Sequence, residues 1–226
     1  MNTNMKISER IKRMTAVAMF CALAYACMYF VKIPVGFLTM DVKDSVIILC
    51  SLLFGPAAGL IIAVAVPFLE LITISGTGVY GFIMNALSSV TFSLTAGLIY
   101  RYKRSMAGAL IALASGVFAV TAVMILANLL VTPYYIGGSV ADVAAMIPKL
   151  LLPFNLVKAI LNAAIVLLLY KPLSKILKRT GFLCAASTEM SEDAVQARSG
   201  RFPIISIIAV MIILGSLAII FFVLGK

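Results

Sequence analysis

Apolar residues fall in long blocks along this chain, and polar residues gather in the short breaks between them. The first block, residues 14–31, is nearly unbroken and predicts a helix of membrane-spanning length, since a bilayer core of about 30 Å needs roughly 20 apolar residues. The segment KIPVGFLTMDVKD (32–44) interrupts it with a proline, a glycine and paired charges, so it is read as a loop, though an apolar one. A short second helix (45–54) and a third (56–73) follow as a tight hairpin. In FGPAAG, Gly55 ends one helix and Pro56 opens the next. After ISGTGVYG comes a fourth helix (80–100), stopped by Arg101, Lys103 and Arg104, and then a fifth (106–132). The stretch PYYIGGSVADVAAMIPK (133–149) reads as a second long loop. A sixth helix (150–170) closes the set and is terminated by KPLSKILKR.

The expected fold is therefore all-α, a polytopic membrane helix bundle with a six-helix core in residues 1–179. A polar linker (180–202) leads to a further apolar segment (203–226), read as a seventh, C-terminal transmembrane helix. The basic N-terminal region is followed by an apolar run without a clear small-residue cleavage site, so it is read as a retained first helix.

Charge supports this map. With the N-terminus in the cytoplasm, thirteen Lys and Arg side chains lie inside and four outside (Lys32, Lys43, Lys149 and Lys226), leaving Lys158 within the sixth helix. That is a strong positive-inside bias in a multi-pass protein of the cell membrane, and it turns both long loops outward.

Composition narrows the function. The 226 residues are 63% hydrophobic and only 12% charged, which leaves almost nothing for a soluble domain. The net charge of +10 lies in clusters between apolar spans, the signature of membrane topology and not of a nucleic-acid face. The absence of His removes imidazole metal sites and Ser-His or Cys-His nucleophiles, so usual hydrolytic chemistry is disfavoured, and no enzyme activity, metal or cofactor is expected. The four cysteines show no CxxC spacing, and no disulfide is expected.

Polar side chains inside apolar spans are costly, about 2.5–3.5 kcal/mol for Lys at a helix centre, and each asks for a reason. Asn155, Lys158 and Asn162 stand at i, i+3 and i+7 on one face of the sixth helix. Lys158 either snorkels to the interface or faces a pocket, and the pocket is the reading adopted. Asn128 shares a face of the fifth helix with Thr121 and Thr132, as ligand or as interhelical glue. Asn85, Ser88 and Ser89 on the fourth helix are read as packing. Glu70 is left open between solvation, balance of Lys158 and contact with a solute. Above these groups lies the first loop with Ile33, Val35, Phe37, Leu38 and Met40, the makings of a lid. Apolar walls with few convergent donors and acceptors suit a flat, neutral, partly aromatic solute. On the first helix, Ala18, Ala22 and Ala26 fall four apart, a register that lets another helix come close, within the bundle or from a partner.

The order KIPVGFLTMDVKD, FGPAAG, short second helix, PFNLVKA and YKPLSKILK resembles the substrate-binding S component of energy-coupling factor (ECF) vitamin transporters, in the riboflavin-binding branch, over about residues 10–178. The resemblance implies a subunit that captures riboflavin from outside while the first loop closes over it. It implies that Asn155 and Lys158 hold the isoalloxazine ring, with Asn128 as a further amide and Phe37, Leu38 and Met40 above. It also implies that Ala18, Ala22 and Ala26 dock a transmembrane T subunit. Two cytoplasmic ATPase subunits would complete the importer, since this chain has no GxxxxGK[ST] phosphate loop. Another vitamin, FMN, or a self-sufficient secondary carrier stand as alternatives. The segment after Arg179 departs from the six-helix pattern.

Overall fold

The computed structural model describes residues 3–180 and Phe182. Within them the order is α1 (Thr3–Phe30), β1 (Lys32–Val35), β2 (Leu38–Asp41), α2 (Lys43–Phe54), α3 (Pro56–Thr73), α4 (Gly78–Tyr102), α5 (Met106–Ile136), α6 (Val140–Met146), a π-helical turn (Ile147–Leu151) and α7 (Leu152–Arg179). The expected seventh span lies outside the described residues, as does the linker apart from Thr180 and Phe182. Among the described residues, five stretches are long and apolar enough to cross a membrane: Arg10–Phe30, α3, α4, α5, and the run Val140–Leu177.

The short helix α2 organises the bundle. A helix of twelve residues is about 18 Å long and cannot span a bilayer. It is apolar nearly all round, and all of its residues, from Lys43 to Phe54, are buried, so it is an internal post with the longer helices around it. Its neighbours come close because small residues face it. A Cβ on Gly59 would lie 2.3 Å from Ser93 Oγ and 2.5 Å from Ser51 Cβ, and one on Gly97 would lie 2.1 Å from Ser51 Oγ. Ser51 Oγ donates to the Ser93 carbonyl at 2.8 Å, tying α2 to α4.

The α2–α3 joint follows the expected pattern. Gly55 sits at φ 98°, a backbone open to glycine, and Pro56 starts α3 where its missing N–H costs nothing. Arg13 of α1 donates to the Phe54 carbonyl at 2.7 Å, placing a cation at the negative end of α2.

The remaining differences from expectation have local causes. The first loop is a β-hairpin, with Ile33 paired to Met40 and Val35 to Leu38. Gly36, at φ 61°, takes the first central position of its two-residue turn, where a positive φ is required. Helix α5 runs through Pro133 and stops only at left-handed Gly137, whose N–H caps the Pro133 carbonyl. The second loop is itself helical, because Ser139 and Asp142 form a capping box that starts α6. The π turn then feeds α6 into α7, the sixth span of the sequence reading, which continues through Pro172 to Arg179.

On α1 the buried stripe is Ala16, Phe20, Ala24 and Met28, again four apart. Ala18 and Ala22 are consequently exposed on another face, with Ala26 half-buried.

Candidate functional site

A cavity of about 670 Å³, mouth included, opens at the hairpin end of the bundle between the hairpin turn, α4, α5 and α7. Phe37, Leu38 and Thr39 form one wall. Helix α4 contributes Tyr80, Met84, Asn85 and Ser88, and α5 contributes Met124, Asn128, Thr132 and Tyr135, in both cases from one helical face. Phe154, Asn155 and Lys158 of α7 complete the lining.

Of the residues expected in a site, Asn128, Asn155, Lys158, Phe37 and Leu38 meet at this one cavity. Met40 does not line it. Its side chain is buried beside Leu161, with Ile33, Val157 and Phe154 packed around, so it anchors the hairpin to α7. Asn162 also departs from the expected stripe. Its Oδ1 accepts from the Ser45 backbone N–H at 2.8 Å and its Nδ2 donates to the Asp41 carbonyl at 3.1 Å. One amide from a distant helix thus gives an N–H in the first turn of α2 a second acceptor beside the Val42 carbonyl, and holds β2.

The amides that face the cavity are positioned by their own helices. Asn128 Nδ2 donates to the Met124 carbonyl at 2.7 Å, and Thr132 Oγ1 donates to Asn128 Oδ1 at 2.9 Å. Asn155 Nδ2 donates to the Leu151 carbonyl, also at 2.7 Å. Among the described residues nothing donates to Asn155 Oδ1, which leaves an acceptor at the cavity wall. Leu151 is the last residue of the π turn, which the Leu152 N–H closes by donating to the Ile147 carbonyl where α7 begins.

Lys158 is buried and faces inward. Its Nζ donates to Asp41 Oδ2 at 2.8 Å and to the Thr39 carbonyl at 3.1 Å. Asp41 Oδ2 also receives Lys43 Nζ at 2.8 Å. Lys43 Nζ reaches on to Asn85 Oδ1 at 3.4 Å, Asn85 Nδ2 donates to Glu70 Oε2 at 2.8 Å, and Glu70 Oε1 pairs with Lys32 at 2.8 Å. Ser89 Oγ donates to Asp44 beside this chain of contacts. The question left open for Glu70 resolves to Lys32 and Asn85. Burial alone would push the Asp41 carboxyl up. The ammonium groups of Lys158 and Lys43, with the hydrogen bonds they donate, outweigh it and hold the group well below the usual carboxylate range.

Sequence reasoning passed over Asp41, Lys43 and Asn85. The first two read as loop charges and the third as packing, although Tyr80, Met84, Asn85 and Ser88 share one helical face and that face was the available signal.

Chemically, the cavity offers three amides, hydroxyls and one ion-paired ammonium set among aromatic and thioether side chains. Among the described residues no group of three or more His, Cys, Asp or Glu side chains is placed to hold a metal. An apolar helix bundle that keeps such a cavity at one end is a multi-pass membrane protein built to hold a solute. The family model described as the substrate-specific component of ECF transporters matches residues 12–170, and the chain belongs to that family. It is 32% identical over 190 residues to the riboflavin transporter RibU of Staphylococcus aureus (strain TCH60), covering 79% of this chain and all of that protein. A solved structure, the S component of a bacterial ECF transporter, superposes with a TM-score of 0.64 at 32% identity, covering 75% of this chain and 99% of that one. A biotin S component is a looser neighbour, at a TM-score of 0.47 and 23% identity.

Proposed function

We propose that this chain is the riboflavin-binding subunit of an ECF-type importer, capturing the vitamin from outside the cell and doing no covalent chemistry itself. The observation that carries the solute assignment is the convergence of Asn128, Asn155 and Lys158 on one largely apolar cavity. An isoalloxazine ring presents a planar apolar body and a pyrimidine-like edge with both donors and acceptors. Aromatic walls bury the body, and an amide supplies donor and acceptor together. The 32% identity to a riboflavin transporter over its full length supports the same solute.

In this reading residues 1–179 form the binding unit. The N-terminus is cytoplasmic, as the thirteen-to-four distribution of Lys and Arg favours, and the hairpin end faces outward to meet the vitamin. The exposed Ala18 and Ala22, with Ala26, offer α1 to a T subunit, since the stripe that packs α1 into its own bundle is a different one. Two cytoplasmic ATPase subunits supply the energy.

The test is fluorescence titration of the purified protein with riboflavin, biotin, thiamine and FMN, preceded by extraction of any yellow chromophore that copurifies. Tight binding of riboflavin and none of biotin or thiamine is expected. A protein that ignores riboflavin overturns the reading. Uptake in proteoliposomes lacking the ATPase partners would favour a self-sufficient carrier instead.

A further inference from the structure

Lys158 presents its charge to the cavity from in front of a buried carboxylate. An ammonium has three N–H donors. One of those on Lys158 is taken by Asp41 Oδ2 and one by the Thr39 carbonyl, both from β2, so the third is left for a solute. Asp41 does not line the cavity. It sits behind Lys158, 2% exposed, and shares its Oδ2 between Lys158 and Lys43, while among the described residues its Oδ1 has no partner.

We propose that Asp41 is a positioning and specificity residue: it aims Lys158 and offsets its charge, so that the cavity takes an uncharged flavin in preference to its phosphorylated form. This rests on the riboflavin reading above. The electrostatics do not require the phosphate to touch Lys158. At an effective dielectric of about 20, one unit of charge at about 10 Å from a phosphate changes affinity by roughly tenfold or more. The sum of charge beside the cavity therefore governs the preference between two ligands that share the same ring.

That sum can be moved in either direction at fixed shape. Asp41→Asn adds one positive charge. Its side-chain oxygen can still accept from the two lysines, and its nitrogen falls where Oδ1 has no partner to lose. Lys43→Gln removes one positive charge. The double variant changes the sum by zero. Asp41→Glu keeps the charge and alters only reach.

The experiment is titration of the full-length protein in detergent with riboflavin and with FMN, read as the ratio of the two dissociation constants. The unaltered chain is expected to prefer riboflavin. Asp41→Asn should narrow that preference roughly tenfold or more, while the double variant and Asp41→Glu should return it toward the starting value, and Lys43→Gln should widen it. A merely structural role would weaken both flavins in parallel. An unmoved ratio in Asp41→Asn therefore overturns the inference and leaves the riboflavin reading standing. If Asp41→Asn is not recovered as monodisperse protein, Lys43→Gln carries the test, and a ratio that fails to widen overturns the inference. No riboflavin binding by the unaltered chain overturns both.

Discussion

Lys158 Nζ on α7 lies 2.8 Å from Asp41 Oδ2 at the end of β2, a contact between residues 117 positions apart. Asp41 is in turn the register partner of Lys32 on β1. Lys32 bridges to Glu70 of α3, so the base of the hairpin is tied to two different helices by opposite charges. The element that walls the cavity is thus held at its base by the same network that contains a cavity-lining cation. Its Phe37 turn carries no such tie among the described contacts.

The first consequence is for affinity. Lys158→Ala removes a cavity donor and leaves Asp41 with Lys43 alone, while Asn155→Ala removes an acceptor at the wall and the bond to Leu151. Each is expected to weaken riboflavin binding tenfold or more, because a polar group of the buried ligand is left without a partner. Detergent titration measures it. Wild-type affinity in either variant removes these residues from the site.

Stability should separate the two halves of the Lys32–Glu70 pair. Glu70 is nearly enclosed and holds both Lys32 and Asn85, so Glu70→Ala takes the acceptor from a half-buried amide as well as the ion pair and should cost about 1–3 kcal/mol. The Lys32 side chain is 26% exposed, and Lys32→Ala should cost less, about 1 kcal/mol or below, as half-solvated pairs do. Thermal unfolding in detergent compares them, and a larger drop for Lys32→Ala contradicts the burial argument.

Asp41 also sets a pH dependence, and the sign follows from its lowered pKa. A carboxyl whose folded value lies below its ordinary 3.8 contributes stability that is fully present above that value. The contribution is lost as pH falls through the depressed folded value. With no His in the chain, unfolding midpoints should be flat from about pH 5 to 8 and fall only below about pH 4. Asp41→Asn should flatten that acid limb. A midpoint that moves strongly between pH 5 and 8 would mean another group controls it.

The parts of this design that lie on single helices were readable in the chain. Asn155 and Lys158 are three residues apart on α7, and Asn128 and Thr132 four apart on α5, so periodicity alone puts each pair on one face. The FGP joint was equally local. The contacts of Asp41 and Lys43 were not local. A charge in a segment bounded by Pro34 and Gly36 reads as solvated, and its burial depends on Lys158 and Asn85, which arrive from helices far along the chain. Lys43 illustrates the difference: it counts among the cations of the outer side, yet its side chain is fully buried at the head of α2. Met40 was hidden for a related reason: it shares a strand face with Leu38, and what takes it away from the cavity is its packing beside Leu161, which arrives from α7 far along the chain. The alanines of α1 were ambiguous because two alanine-containing stripes run along the helix, and only packing tells them apart.

Those two stripes make a paired test on neighbouring residues. Ala24 is completely buried against the bundle core, whereas Ala22, two positions earlier, is exposed. Ala24→Leu forces extra methylene groups into a packed interior and should destabilise the protein by about 1–3 kcal/mol, lowering the unfolding temperature and the yield. Ala22→Leu meets no such wall, so folding and riboflavin affinity should match the unaltered chain. Close approach of a second helix along this face would still be blocked, because small residues are what allow two membrane helices to come together. Riboflavin uptake by the assembled importer should therefore fall to background in Ala22→Leu while binding in detergent persists. An Ala22→Leu variant that transports normally removes this face of α1 from the partner interface, and one that unfolds like Ala24→Leu shows the face to be structural instead.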